Sequence, residues 1–156
     1  MARSALPALG PVKKRWASWQ RSQAEVVKKR EGGICAGCGK DSRPLQVAHL
    51  LGRRNIIAEP WASWSGLCAH LCSAHPGYGL GCHEVYDARR DPALRHRLLE
   101  QAEQRLAAQI WALPGERFWL PTESLGPADK VRAIVRRLEA LGITPDPSRE
   151  LEERGK

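Results

Sequence analysis

The sequence predicts a small α+β domain whose core is tied together by a metal ion and flanked by helices on both sides. Three observations predict it. All five cysteines (Cys35, Cys38, Cys68, Cys72 and Cys82) fall between positions 35 and 82, and four of the five histidines lie between 49 and 83. Short β-like segments run between turn residues in that stretch, and two longer segments after it carry apolar residues at helical spacing. The length of 156 residues suits one domain with appendages, and 42% apolar with 27% charged residues is an ordinary globular balance.

Taken in order, residues 1–12, with Pro7, Gly10 and Pro11, read as an unstructured lead. Arg15 to Arg30 reads as a helix with Trp16, Trp19, Val26 and Val27 as apolar contacts, stopped by Gly32-Gly33. A Cys35-x-x-Cys38 knuckle follows, and a turn at Asp41 to Pro44 leads into Leu45 to Leu51, whose start alternates as a strand should. Residues 52–60 read as an arginine-bearing loop, and Trp64 to Cys68 as a second short strand. A Gly/Pro-rich loop from Pro76 to Gly81 then delivers Cys82 to Asp87 into a short helix.

Asp91-Pro92 is a cap followed by proline at the first helical position. It opens a helix with Leu94, Leu98, Ala102, Leu106 and Ile110 on one stripe, ending near Pro114-Gly115. Another helix runs from about Pro127 to Leu141, with Val131, Ile134, Val135, Leu138 and Leu141 in phase and Gly142 as its stop. The chain therefore divides into a basic arm and helix (1–32), a core (33–90), a helical support region (91–144) and a charged tail (145–156).

The formal charge is +8, and its distribution is uneven. Residues 1–30 hold eight basic side chains (Arg3, Lys13, Lys14, Arg15, Arg21, Lys28, Lys29 and Arg30) against the single acid Glu25, while the rest of the chain is nearly balanced. Clustered Lys and Arg release counterions from a nucleic-acid backbone, so this segment is a candidate phosphate-contacting arm. No stretch of eighteen apolar residues is present, so no transmembrane helix and no membrane partner is expected. The start, Met1-Ala2-Arg3-Ser4, lacks the apolar core of a secretory signal, which makes a cytoplasmic location the default.

An odd number of cysteines without a secretory signal argues against a disulfide framework. Metal-held thiolates explain the clustering better. Cys35 and Cys38 on a tight turn can reach one tetrahedral ion, helped by Gly33, Gly37 and Gly39. A thiol redox pair shares this spacing, but it needs a preceding strand in an α/β unit, and none precedes it here. The expected cofactor is a structural zinc on Cys35, Cys38, Cys82 and either Cys68 or Cys72. Cys68 is slightly favoured because it ends the predicted second strand, where a knuckle would begin.

The ordered set of Cys-x-x-Cys, a strand ending in Ala48-His49, then Gly66-Leu67-Cys68, then Cys82-His83-x-x-x-Asp87 resembles the zinc-stabilised HNH endonucleases. The resemblance covers roughly residues 33–90. It implies a ββα-metal (His-Me finger) core, in which two strands and a helix clasp one divalent cation, Mg²⁺ or Mn²⁺ foremost. It also implies a DNA partner, no small-molecule substrate, hydrolysis to a 5′ phosphate and a 3′ hydroxyl, and carriage by a phage or mobile element. The residues agree with that chemistry. His83 and Asp87, four apart on a helix, face the same way and can share a cation. His49, with an ordinary pKa of about 6.5, can take a proton from an attacking water. Lys13, Lys14, Arg15, Lys28, Lys29, Arg30, Arg53 and Arg54 are the candidate DNA contacts.

Two positions depart from the family pattern. Ala48 stands where a metal-binding side chain commonly precedes the catalytic histidine, with His70 and His75 as nearby substitutes. The middle Asn has no clean match, leaving Ser63, Ser65 and Asn55 as candidates. The alternative to a nuclease is a non-catalytic zinc module that binds nucleic acid or a protein. The long insert between Cys72 and Cys82 is a candidate DNA-contacting loop, and Trp61 and Trp64 are candidate core aromatics.

Overall fold

A computed structural model describes residues 10–52, 54–77, 79–121 and 125–147. Helices α1 (Pro11–Glu31), α2 (Cys82–Asp87), α3 (Pro92–Trp111) and α4 (Pro127–Ala140) surround a two-stranded antiparallel sheet of β1 (Leu45–His49) and β2 (Cys68–Cys72). This is a small α+β arrangement, as the sequence predicts. Among the described residues no helix is long and apolar enough to cross a membrane.

α1 begins at Pro11, so Pro11 and Val12 belong to the helix rather than to an unstructured lead. Residues 1–9 lie outside the described residues. Lys28, Lys29 and Arg30 occupy the last turn, where cations complement the helix dipole, and Gly32 closes it at φ 65° with its N–H donating to the Lys28 carbonyl. The helix docks through Trp19, Gln23 and Val27, all buried. Trp16 meets Trp19 edge to face, whereas Val26 stays at the surface.

The second strand lies four residues later than the sequence suggests. Trp64 to Leu67 forms short 3₁₀ turns with Pro60–Ser63, and β2 starts only at Cys68. A close approach enforces the turn: the Trp64 ring lies over Gly66, where any Cβ would collide with it. The pairing register sets His49 opposite Cys68, Val47 opposite His70 and Leu45 opposite Cys72. Directly paired residues share a sheet face, so these six side chains lie on one face and Gln46, Ala48, Ala69 and Leu71 on the other.

α3 and α4 follow their periodicity closely. The Asp91 carboxylate accepts the Leu94 N–H, capping α3 at its start. Leu94, Leu98, Ala102, Leu106 and Ile110 are all buried, together with Val131, Ile134 and Leu138 of α4. They join Ala48, Leu50, Trp61, Leu67, Leu71 and Tyr86 in one apolar cluster, so the helical pair forms the floor under the sheet. Trp61 lies in that cluster with Trp64 packed edge to face against it, which places both aromatics in supporting roles.

Candidate functional site

Two neighbouring constellations share α2. In the first, the sulfurs of Cys35, Cys38, Cys72 and Cys82 all lie within 4.8 Å of one another. Cys38 Sγ and Cys72 Sγ are 3.9 Å apart, close to the ~3.8 Å edge of a tetrahedron with Zn–S bonds of about 2.3 Å. Four converging sulfurs fit a structural metal such as zinc.

Cys68 is not among them, and Cys72 is the fourth sulfur. The cause is the position of β2. Cys68 and Cys72 sit at opposite ends of a five-residue strand, about 13 Å apart at the usual rise per residue. Cys72 lies at the knuckle end, whereas Cys68 is buried beneath α1. Burial pushes the Cys68 thiol up to about 12 despite the nearby Arg30 and Arg105 cations.

The knuckle is built to hold thiolates. Burial disfavours a charged Cys35, but N–H groups of Cys38, Cys72 and Gly37 aimed at its Sγ outweigh this and lower the thiol to about 7. The Cys82 N–H in turn donates to Cys72 Sγ. Burial raises Cys72 and Cys82, and the nearby Cys35 sulfur adds to both. A divalent cation relieves this crowding by holding the sulfurs as thiolates. Gly37 has no room for a side chain, since a Cβ there would stand 2.9 Å from Cys82 Sγ.

The second constellation follows directly in the chain. His49 at the end of β1 and His83 and Asp87 on α2 line one cleft of about 340 Å³, with Val47 and Gly52. His83 Nε2 stands 3.2 Å from Asp87 Oδ2, as the four-residue spacing predicts. Two contacts fix α2 against β1. The buried Tyr86 hydroxyl donates to the Leu50 carbonyl at 2.7 Å, one residue beyond His49. His83 Nδ1 lies 2.9 Å from Gln46 Oε1. Gln46 is the residue that sequence reasoning misses; its only signal is that it alternates with Ala48 and so shares a strand face with it.

α2 has six residues and is held from outside. Glu84 accepts the N–H of Gly81 at the helix start and the N–H of Ala74 across the insert. Slight burial opposes its charge, but these donors prevail and keep its carboxyl below the ordinary range.

The residues weighed for the departing positions sort clearly. His70 and His75 do not line the His83–Asp87 cleft, so neither replaces the ligand missing at Ala48. His70 faces α1, where burial lowers its pKa, and exposed His75 sits against the Pro76 carbonyl. Asn55 spends its side-chain oxygen on the Ile57 and Ala58 N–H groups. The Ser65 backbone is tied to Gln23 and Arg30. Ser63 alone of the three shares a cleft with His49, the pocket beside α1 that Gln20, Gln23 and Cys68 also line.

Lys13, Lys14, Arg15, Lys28 and Lys29 are exposed along α1, and Arg54 is exposed after β1. Arg30, also a candidate DNA contact, has partners within the fold: its guanidinium donates to the carbonyls of Ser65 and Cys68 and pairs with Glu31. Arg53 lies outside the described residues. Comparison of the chain with family models, curated proteins and solved structures gives no match.

Proposed function

We propose that the protein is a metal-dependent DNA endonuclease of the ββα-metal kind, with its fold secured by a structural zinc on Cys35, Cys38, Cys72 and Cys82. One observation carries this reading: His49, His83 and Asp87 converge on a single cleft formed by β1 and α2.

The donor set suits a cation. An amide oxygen only accepts, so His83 Nδ1 must carry the proton that meets Gln46 Oε1. In the neutral ring Nε2 then turns a lone pair toward Asp87 Oδ2, 3.2 Å away. Two electron-rich atoms facing each other are reconciled by a cation between them. Imidazole and carboxylate with open positions suit Mg²⁺ or Mn²⁺, and when bound this cation would stabilise charge on the scissile phosphate and the leaving 3′ oxygen. His49, on the other side of the cleft, takes the proton from the attacking water. The exposed cations of α1 hold the phosphate backbone.

Incubating supercoiled plasmid with the zinc-loaded protein and Mg²⁺ or Mn²⁺ tests this. The expected result is nicking that falls by at least about a hundredfold in His49→Ala, with zinc content and circular dichroism unchanged. If no DNA form is cut under any of these cations, the nuclease reading fails. The second reading, a zinc module that binds without cutting, draws on Ala48, a fully buried methyl where the resembling family commonly places a metal ligand. It predicts salt-sensitive DNA binding and no exchangeable divalent site.

A further inference from the structure

We infer that Gln46 is the positioning residue that makes the His83–Asp87 pair able to take a cation, by holding the proton of the His83 ring on Nδ1. The inference rests on the cation-holding part of the nuclease reading and deepens it.

Gln46 and Ala48 point to the same face of β1. At Ala48 there is only a buried methyl, which offers nothing to a metal. Two residues upstream, about 7 Å along the strand, Gln46 extends its amide along the exposed part of that face to reach His83. The strand thus acts on this site through a ligand's far nitrogen rather than by ligating.

His83 has two competing acceptors for one ring proton: Gln46 Oε1 at 2.9 Å from Nδ1 and Asp87 Oδ2 at 3.2 Å from Nε2. If the proton sits on Nε2, His83 donates to Asp87, and the two ligand atoms satisfy each other. The site is then closed to a cation. If it sits on Nδ1, Gln46 takes the hydrogen bond and both Nε2 and Oδ2 keep lone pairs for metal. A hydrogen bond to one imidazole nitrogen decides which nitrogen is left for the metal, and removing such partners commonly costs about 10–100-fold in affinity. Gln46 is suited to this because its amide stays neutral and adds no charge to the cleft. The Tyr86–Leu50 hydrogen bond keeps α2 at the distance this contact requires.

The test uses the full-length, zinc-loaded protein and reads the ring directly. Nitrogen-15 NMR of the histidine side chains at about pH 8 reports which nitrogen is protonated. Wild type is expected to show His83 as the Nδ1–H form, and Gln46→Leu to move it toward Nε2–H. Mn²⁺ affinity, measured by paramagnetic relaxation, should fall at least about tenfold in Gln46→Leu. Gln46→Glu, which keeps an acceptor at the same place, should retain the Nδ1–H form. Zinc content is expected to be equal in all three, since Gln46 touches none of the four sulfurs. An Nε2–H ring in wild type, or a Gln46→Leu protein with unchanged tautomer and Mn²⁺ affinity, overturns the inference. Lack of plasmid cleavage alongside the expected tautomer shift would instead count against the nuclease reading alone.

Discussion

Cys68 and Cys72 show how much a four-residue displacement decides. Both are buried cysteines on the same strand face, yet one joins the four converging sulfurs and the other is a core thiol under α1. Alkylation followed by mass spectrometry separates them. In zinc-loaded protein all five cysteines should resist the reagent. After chelation at about pH 8, exposed Cys38 should react first, with Cys35, buried but lowered to about 7, following as the knuckle loosens. Cys68 should remain unmodified until denaturant is added. Cys72→Ser should lose zinc, whereas Cys68→Ala should keep it. Early alkylation of Cys68 would count against this assignment. The choice between the two cysteines was not legible in the sequence because both end a plausible strand. Only the Trp64 ring over Gly66, a contact with no local sequence signal, forces the turn that delays β2.

At the level of elements, legibility follows amphipathicity. The stripe of α3 is buried throughout, and that of α4 is buried at Val131, Ile134 and Leu138, with Val135 partly covered and Leu141 exposed just past the helix end. The Cys-His start of α2 and the His83–Asp87 pair were equally readable, since they depend on spacing alone. β2 carried no period: Cys-Ala-His-Leu-Cys is buried on both faces apart from His70, and such a run does not announce its register. Gln46 was hidden for a related reason, because its partner lies 37 residues away. The tie of Arg30 to two carbonyls was hidden as well, because charge alone does not announce a clamp on the backbone.

The same scale governs how α2 responds to acid. The Glu84 carboxyl is held below its unfolded range by the Ala74 and Gly81 donors, after offsetting a small burial effect. A depressed carboxylate contributes stability that is present above the unfolded pKa of about 4.3 and is lost as pH falls through the lower folded value. Glu84→Gln should therefore be less stable than wild type in urea at neutral pH. The gap should narrow as pH drops below about 4, since protonated Glu84 and Gln are then alike. A gap that stays constant to low pH would show that the charge on Glu84 is irrelevant to the helix.

For the whole molecule, charge is segregated by function. The formal +8 counts the cysteines as neutral; four thiolates around a Zn²⁺ would lower it by two. α1 carries most of what remains on its exposed face while its other face packs against the start of β2. Neutralising Lys13, Lys14, Lys28 and Lys29 together should weaken DNA binding and make the logarithmic salt slope shallower by up to about four. Thermal stability should change little, because all four are exposed. A slope unchanged by these substitutions would place the DNA elsewhere on the surface. By contrast, Arg30→Ala should lower stability, because it leaves the carbonyls of Ser65 and Cys68 without their donor.

The position of Cys82 at the first residue of α2 has a temporal consequence. A helix of six residues cannot persist on its own in water, where a dozen or more are needed. As the chain leaves the ribosome, β1 and the Cys35 knuckle emerge well before residue 82, so His83 and Asp87 take their places only when α2 docks through Tyr86, Glu84 and Cys82. The cleft is thus the last part to be assembled: a chain whose four sulfurs were not gathered by a metal would lose one of the ties that hold α2, and with it part of what positions His83 and Asp87.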